Sequence, residues 1–195
     1  MICRLHSLFA ELSPGGIAKE MYVSDAEALL AKVDPESPAQ QMRFDLVLEL
    51  IDDVRRLDDQ IKASYRRIRL AVRASGTSLT EVYGVGPIHA AEVIGYSGDV
   101  RRFANRDAYA SYNGTAPVER SSGGRIVHRL SQRGNRKVNH ALHMIAVTQI
   151  RNSGTQGRIY FERKVAEGKT KKEALRSLKR QVSNAIYRQL VADAG

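Results

Sequence analysis

"AQQMRFDLVLELIDDVRRLDDQIKASYRRIRLAVRA" runs from Ala39 to Ala74 without a glycine or a proline. Val47, Leu50, Val54, Leu57, Ile61, Ile68 and Ala71 recur in it at alternating three- and four-residue spacing, with Ser64 as the polar exception. That spacing predicts one helix with an a/d seam sustained over more than three heptads. Such a seam wants a partner helix, either a second copy of the chain or another helix of this one. The charged run Asp52, Asp53, Arg55, Arg56, Asp58 and Asp59 lies mostly off the seam and reads as a solvated face.

Upstream, residues 1–12 read as a short helix ended by Ser13-Pro14-Gly15-Gly16. Ser24-Asp25-Ala26-Glu27 matches a capping box that opens a helix to about Val33, before Pro35 and Pro38 interrupt. No apolar run reaches the roughly 18 residues that a membrane helix needs. Cys3 is the single cysteine, so an internal disulfide and a cysteine-rich zinc site are excluded, and a cytoplasmic setting is expected.

Charge divides the chain. Residues 1–100 carry 11 basic and 15 acidic side chains, whereas residues 101–195 carry 20 and 6. A basic half of net +14 on a chain of net +10 implies a polyanionic partner, most often nucleic acid.

Ala74–Leu79 breaks the long helix. Beyond it, Leu79, Val82 and Tyr83 predict a short amphipathic helix, Gly84-Val85-Gly86-Pro87 a tight turn, and Ile88, Ala91 and Ile94 a second helix. This is a helix-hairpin-helix pattern over 79–95. Its glycines allow close backbone approach to a phosphate, and the N–H groups that open the second helix point at that anion. An ordinary helix turn fits the same residues. Arg101 and Arg102 nearby favour phosphate.

Asn105–Tyr112 predicts a helix stopped by Asn113-Gly114, and Ala116–Arg120 and Arg125–Leu130 two short strands. Ser121-Ser122-Gly123-Gly124 is then a hairpin tip. Turn chemistry explains it. So does a serine hydroxyl near a scissile phosphate, with Arg120, Arg125, Arg129, Arg133, Arg136 and Lys137 neutralising charge. The residues alone leave both readings open. A helix follows from about Arg136 to Arg151, "NSGTQG" (152–157) reads as a loop, and a basic helix closes the chain from about Lys171 to Ala192. Its Leu175, Leu178, Val182, Ile186 and Leu190 face inward, and Lys172, Arg176, Lys179 and Arg180 cover the other side. His140 and His143 share a helix face but read as an exposed pair, and no metal site is assigned.

These stretches together, Leu79–Gly95, Phe103–Arg125 and Leu130–Leu142, resemble the C-terminal domain of the one-ten family of bacterial insertion-sequence transposases, the DEDD type. The motifs are Gly-Val-Gly-Pro, then Tyr-x-Gly-x-x-Pro (Tyr112, Gly114, Pro117), Ser-Gly-Gly (Ser122–Gly124) and a basic residue before Gly-Asn (Arg133, Gly134, Asn135). The first helix and the long helix resemble the linker and coiled coil that precede that domain. The resemblance implies recombinases with an N-terminal RuvC-like domain holding four acidic ligands for magnesium. It also implies a C-terminal serine that attacks DNA, and a structured guide RNA. Carried over, the nucleophile falls on Ser122, with Ser121 as fallback. Nucleic-acid contacts are expected from Gly84, Val85, Gly86, Arg101, Arg102, Arg120, Gly123, Gly124, Arg125, Arg129, Arg133, Arg136 and Lys137.

The sequence departs from the pattern in having no RuvC-like domain, and Val138-Asn139 stands where the family often has Leu-Arg. The expected fold is mainly α: a helical linker (1–38), a coiled-coil helix (39–74), a transposase C-terminal domain with the helix-hairpin-helix and a β-hairpin (75–165), and a basic helix (166–195). The expected function is DNA binding in transposition, with no cofactor in the chain and no cleavage by it alone. The partners would be DNA, a guide RNA, and self or a full-length transposase through the coiled coil, with no membrane. A stand-alone nucleic-acid-binding or coiled-coil module that regulates an intact transposase is the alternative.

Overall fold

A computed structural model describes residues 2–12, 22–122, 125–130 and 134–195; over 2–3, 118–122 and 125–130 it describes the backbone. These residues form helices α1 (Ile2–Leu12), α2 (Val23–Leu30), α3 (Pro38–Ala74), α4 (Pro87–Ser97), α5 (Arg106–Tyr112), α6 (Arg136–Arg151), α7 (Gln156–Ala166) and α8 (Lys171–Asp193). An antiparallel hairpin, β1 (Pro117–Ser122) and β2 (Arg125–Leu130), stands between α5 and α6. The fold is mainly α, as expected. Among the described residues no helix is long and apolar enough to cross a membrane.

The chain forms two compact units, Met1–Arg66 and Arg67–Gly195, and α3 supplies residues to both. In the first, Leu5, Phe9 and Leu12 of α1 lie one helical turn apart and bury one stripe. They pack with Ala26 and Leu30 of α2 against Val47, Leu50 and Ile51 of α3. The upper part of the predicted seam therefore has its partner within this chain. Leu57 and Ile61, two and three turns beyond Leu50, remain 38% and 65% exposed. Ser24 does not cap α2; the helix starts one residue earlier, and the Asp25 carboxylate accepts the Tyr22 N–H at 3.0 Å.

The second unit packs α4, α5 and α7 around α6 and α8. Val138, Leu142 and Ile145 of α6 meet Leu178, Val182 and Ile186 of α8, all buried. The Asp193 carboxylate ties the end of α8 to the start of the unit, accepting from the Thr77 hydroxyl (2.8 Å) and the Ser78 N–H (3.0 Å).

Three expectations change here. Leu79–Glu81 is a single 3-10 turn, not a helix. Five residues between Ser78 and the positive-φ Gly84 leave no room for the costly nucleus of an α-helix. The "NSGTQG" segment already opens α7, with Thr155 as N-cap accepting the Arg158 N–H at 3.1 Å. Lys179, placed by its polarity on the outer face of α8, is only 9% exposed.

Candidate nucleic-acid interface

The serine hairpin leaves and re-enters the helical core at one narrow neck. The register runs from Pro117↔Leu130 to Ser122↔Arg125, so pairing carries both serines into β1 and past the expected loop. Gly123, Gly124 and Arg133 lie outside the described residues, as do the side chains of Ser121, Ser122, Arg120, Arg125 and Arg129. Below them, Tyr112–Pro117 and Gly134–Asn135 of the neck are described. Gly114 ends α5 with φ +71°, and Gly134 crosses it so closely that a Cβ on Gly134 would stand 2.4 Å from the Gly114 nitrogen. The Asn135 N–H donates to the Tyr112 carbonyl at 2.6 Å, and the Asn135 amide donates to the Tyr112 hydroxyl at 2.9 Å. The Tyr-x-Gly and Gly-Asn motifs thus face each other across the two chains of the neck.

Asn135 also caps α6, its side-chain oxygen accepting the N–H groups of Lys137 (3.0 Å) and Val138 (3.1 Å). Below the neck, buried Asn113 donates to Ser183 of α8 at 2.8 Å and accepts from the Thr115 hydroxyl at 2.7 Å. Asn139 donates to the Asn113 carbonyl at 2.7 Å and accepts from Lys179 Nζ at 2.8 Å. Satisfied buried polar groups of this kind fix one arrangement, because each lost partner leaves a desolvated group.

Arg136 and Lys137 are exposed in the first turn of α6. Cations at a helix N-terminus oppose the macrodipole and the free N–H groups. This placement costs stability and suits an approaching anion. His143 is held below its ordinary range by burial and then by the nearby Lys179 and His140.

The other predicted residues take different places. Arg102 lies over the Phe103 and Tyr112 rings, at 4.5 and 4.7 Å from their centroids, and so backs the neck. Arg101 is exposed and pairs with Asp99 at 2.9 Å, which holds that carboxyl below its usual range. Gly84 has φ +89°, and a Cβ on it would stand 3.1 Å from the Ile145 carbonyl; packing against α6 explains it. Val85 is buried in the core. Gly86 has open space around it and precedes Pro87, the first residue of α4. Among the described residues no three His, Cys, Asp or Glu gather as the magnesium implied by the resemblance would need.

Sequence reasoning missed Lys179, Arg180 and the asparagines of the neck. Asn113 was visible only as a helix stop, Asn135 only in the Gly-Asn motif before a helix, and Asn139 only as a departure from the family pattern.

Comparison with known proteins places these motifs. Residues 76–162 match the transposase IS116/IS110/IS902 family. The chain is 31% identical over 179 residues to the uncharacterized 44.8 kDa protein of insertion element IS116 from Streptomyces clavuligerus, covering 86% of this chain and 44% of that protein. It is 32% identical over 158 residues to the uncharacterized 42 kDa protein of IS900 from Mycobacterium paratuberculosis, covering 78% and 39%. A probable family 20 transposase of Pseudomonas aeruginosa is 33% identical over 94 residues, covering 47% and 28%. The chain thus spans less than half the length of these relatives.

Proposed function

We propose, from the match of residues 76–162 to the transposase IS116/IS110/IS902 family, that this chain is the nucleic-acid-binding, serine-bearing part of an insertion-element transposase. One observation carries the reading: the motif residues Tyr112, Gly114, Gly134 and Asn135 build a rigid neck under the Ser122 hairpin, beside cations set against a helix N-terminus. The neck fixes where the hairpin emerges, and Arg136 and Lys137 supply the charge that meets a phosphate backbone. In this reading Ser122 is the attacking hydroxyl, and Arg120, Arg125, Arg129 and Arg133 supply charge that neutralises phosphate. Strand cleavage then requires acidic metal ligands from outside this chain, and the isolated chain binds without cutting.

The test is binding of the purified chain to duplex DNA and to structured RNA over a range of salt, beside Ser122→Ala. A steep fall of log affinity with log salt, equal in both proteins, is expected. No binding at moderate salt would sink the reading. Robust strand transfer by the chain alone would refute its dependence on outside ligands.

A second reading has its own observation. Leu57 and Ile61 continue the seam of α3 but stay exposed after α1 and α2 have covered Val47 and Leu50. They support self-association, or pairing with a longer transposase, along the middle of α3.

A further inference from the structure

One cavity of the second unit, about 380 Å³, opens between the foot of β1 and helices α7 and α8. Its walls are Gly114–Pro117, Tyr160 and the stretch of α8 from Glu173 to Gln181, with Lys169 at the rim. Lys169, Arg176, Lys179 and Arg180 bring four cations to it, and Glu173 is the one acid that lines it. That carboxylate is already committed to the cap of α8, accepting the Thr170 N–H at 2.9 Å and its hydroxyl at 2.6 Å.

Two of the cations are in a costly state. Lys179 is nine-tenths buried, yet the partner of its ammonium among the described residues is the neutral amide oxygen of Asn139. Buried lysines are ordinarily paired with a carboxylate. Burial, and then the nearby Arg136, hold its pKa below the usual lysine range. Arg180 pairs through Nη2 with the largely exposed Asp107, but its Nη1 is buried with no hydrogen-bond partner among the described residues. Lys179 without a counter-charge among the described residues, and Arg180 with one donor left over from its ion pair, both line this open cavity and together suit an anion. Its wall is the neck from which the serine hairpin rises.

We infer that this cavity is a binding site for a backbone phosphate of nucleic acid, held by Lys179, Arg180 and Arg176 at the foot of the hairpin. The inference rests on the nucleic-acid reading above and deepens it. A strand seated here has one phosphate fixed against α8 while its neighbours run toward β1. The buried Lys179 and part-buried Arg180 set position, and the exposed Arg176 and Lys169 add attraction. Tyr160 at the same wall, with Arg163 and Lys164 lying over its ring at 5.2 and 5.6 Å, offers a flat face beside the phosphate.

The test compares Lys179→Met and Arg176→Ala with Lys172→Ala, an exposed charge loss on the same helix outside the cavity. Two quantities are measured on the full chain: the unfolding temperature without ligand, and salt-dependent binding to duplex DNA and stem-loop RNA. Inorganic phosphate serves as a third probe. The expected result is that Lys179→Met unfolds no lower than the parent, since it removes an unpaired buried charge. Each cavity variant should lose about tenfold in affinity and about one unit of salt slope, on the polymer the cavity serves, while Lys172→Ala loses less than about threefold. If the cavity variants merely track Lys172→Ala while the parent binds, the cavity is not the site and the nucleic-acid reading stands. If the parent binds neither polymer, both readings fall. Protection by inorganic phosphate alone, lost in Lys179→Met, would assign the cavity to a free ion and overturn the nucleic-acid source.

Discussion

Asn135 joins two tasks in one side chain, capping α6 and bonding the Tyr112 hydroxyl, while its backbone N–H ties the neck to the Tyr112 carbonyl. Asn135→Ala should lower stability by about 1–2 kcal/mol through the lost cap alone, measured by denaturant unfolding, and should weaken nucleic-acid binding as the hairpin loses its fixed exit. Gly134→Ala forces a Cβ against the Gly114 backbone, and about 1–3 kcal/mol is expected for such overpacking. An unchanged midpoint would mean that the neck opens freely. Tyr109 gives a pH prediction. Burial pushes its phenol up to about 12. The unfolded phenol ionises near 10, so between pH 10 and 12 the folded chain holds the extra proton. Stability then falls as pH rises, by up to about 1.4 kcal/mol per pH unit. Thermal unfolding across that window should show the slope, and Tyr109→Phe should flatten it.

At the scale of elements, the helices whose signals are local were legible. Pro87 at the first position of α4, the Asn113-Gly114 stop and the start of α6 at Arg136 lie where the sequence predicts them, whereas Asn105, read as the first residue of its helix, is instead its N-cap. The start of α7 was not, because Gly157 in "NSGTQG" reads as a loop residue. Its true reason is tertiary: a Cβ there would collide with the Gln149 side chain of α6. Lys179 was misplaced for a related reason. Helical spacing marks its face as polar, but only the arrival of Asn139 and the hairpin foot buries it. The seam of α3 was legible as a stripe but not in its division between partners. Leu57→Glu with Ile61→Glu should abolish any concentration-dependent sedimentation while leaving the fold intact. An unchanged sedimentation profile would mean that the exposed stretch pairs with nothing of this chain.

Across the molecule, two separate apolar cores follow from two separate groups of helices. Phe9 and Ile145 are each fully buried, one in each core. Phe9→Ala should cost about 3–5 kcal/mol and Ile145→Ala about 2–5 kcal/mol. Calorimetry should resolve two transitions, with each variant lowering a different one. A single transition shifted alike by both would show that α3, shared by the units, couples them. The division of charge is also a whole-chain property, and the sequence shows it directly: the net +14 half is almost wholly in the second unit. The geometry that concentrates part of that charge in one cavity was beyond reach, since it depends on contacts between residues 40 and 73 positions apart.

The neck has a consequence for descent as well as for chemistry. Gly114 and Gly134 touch backbone to backbone, so everything between them is a closed excursion whose two ends meet at one point of the scaffold. Lengthening, shortening or exchanging it leaves every helix of the core in register. The segment that carries the serine is therefore a cassette: relatives can diverge in the reach of the hairpin while keeping the same socket, and a foreign hairpin with matched ends can be grafted there.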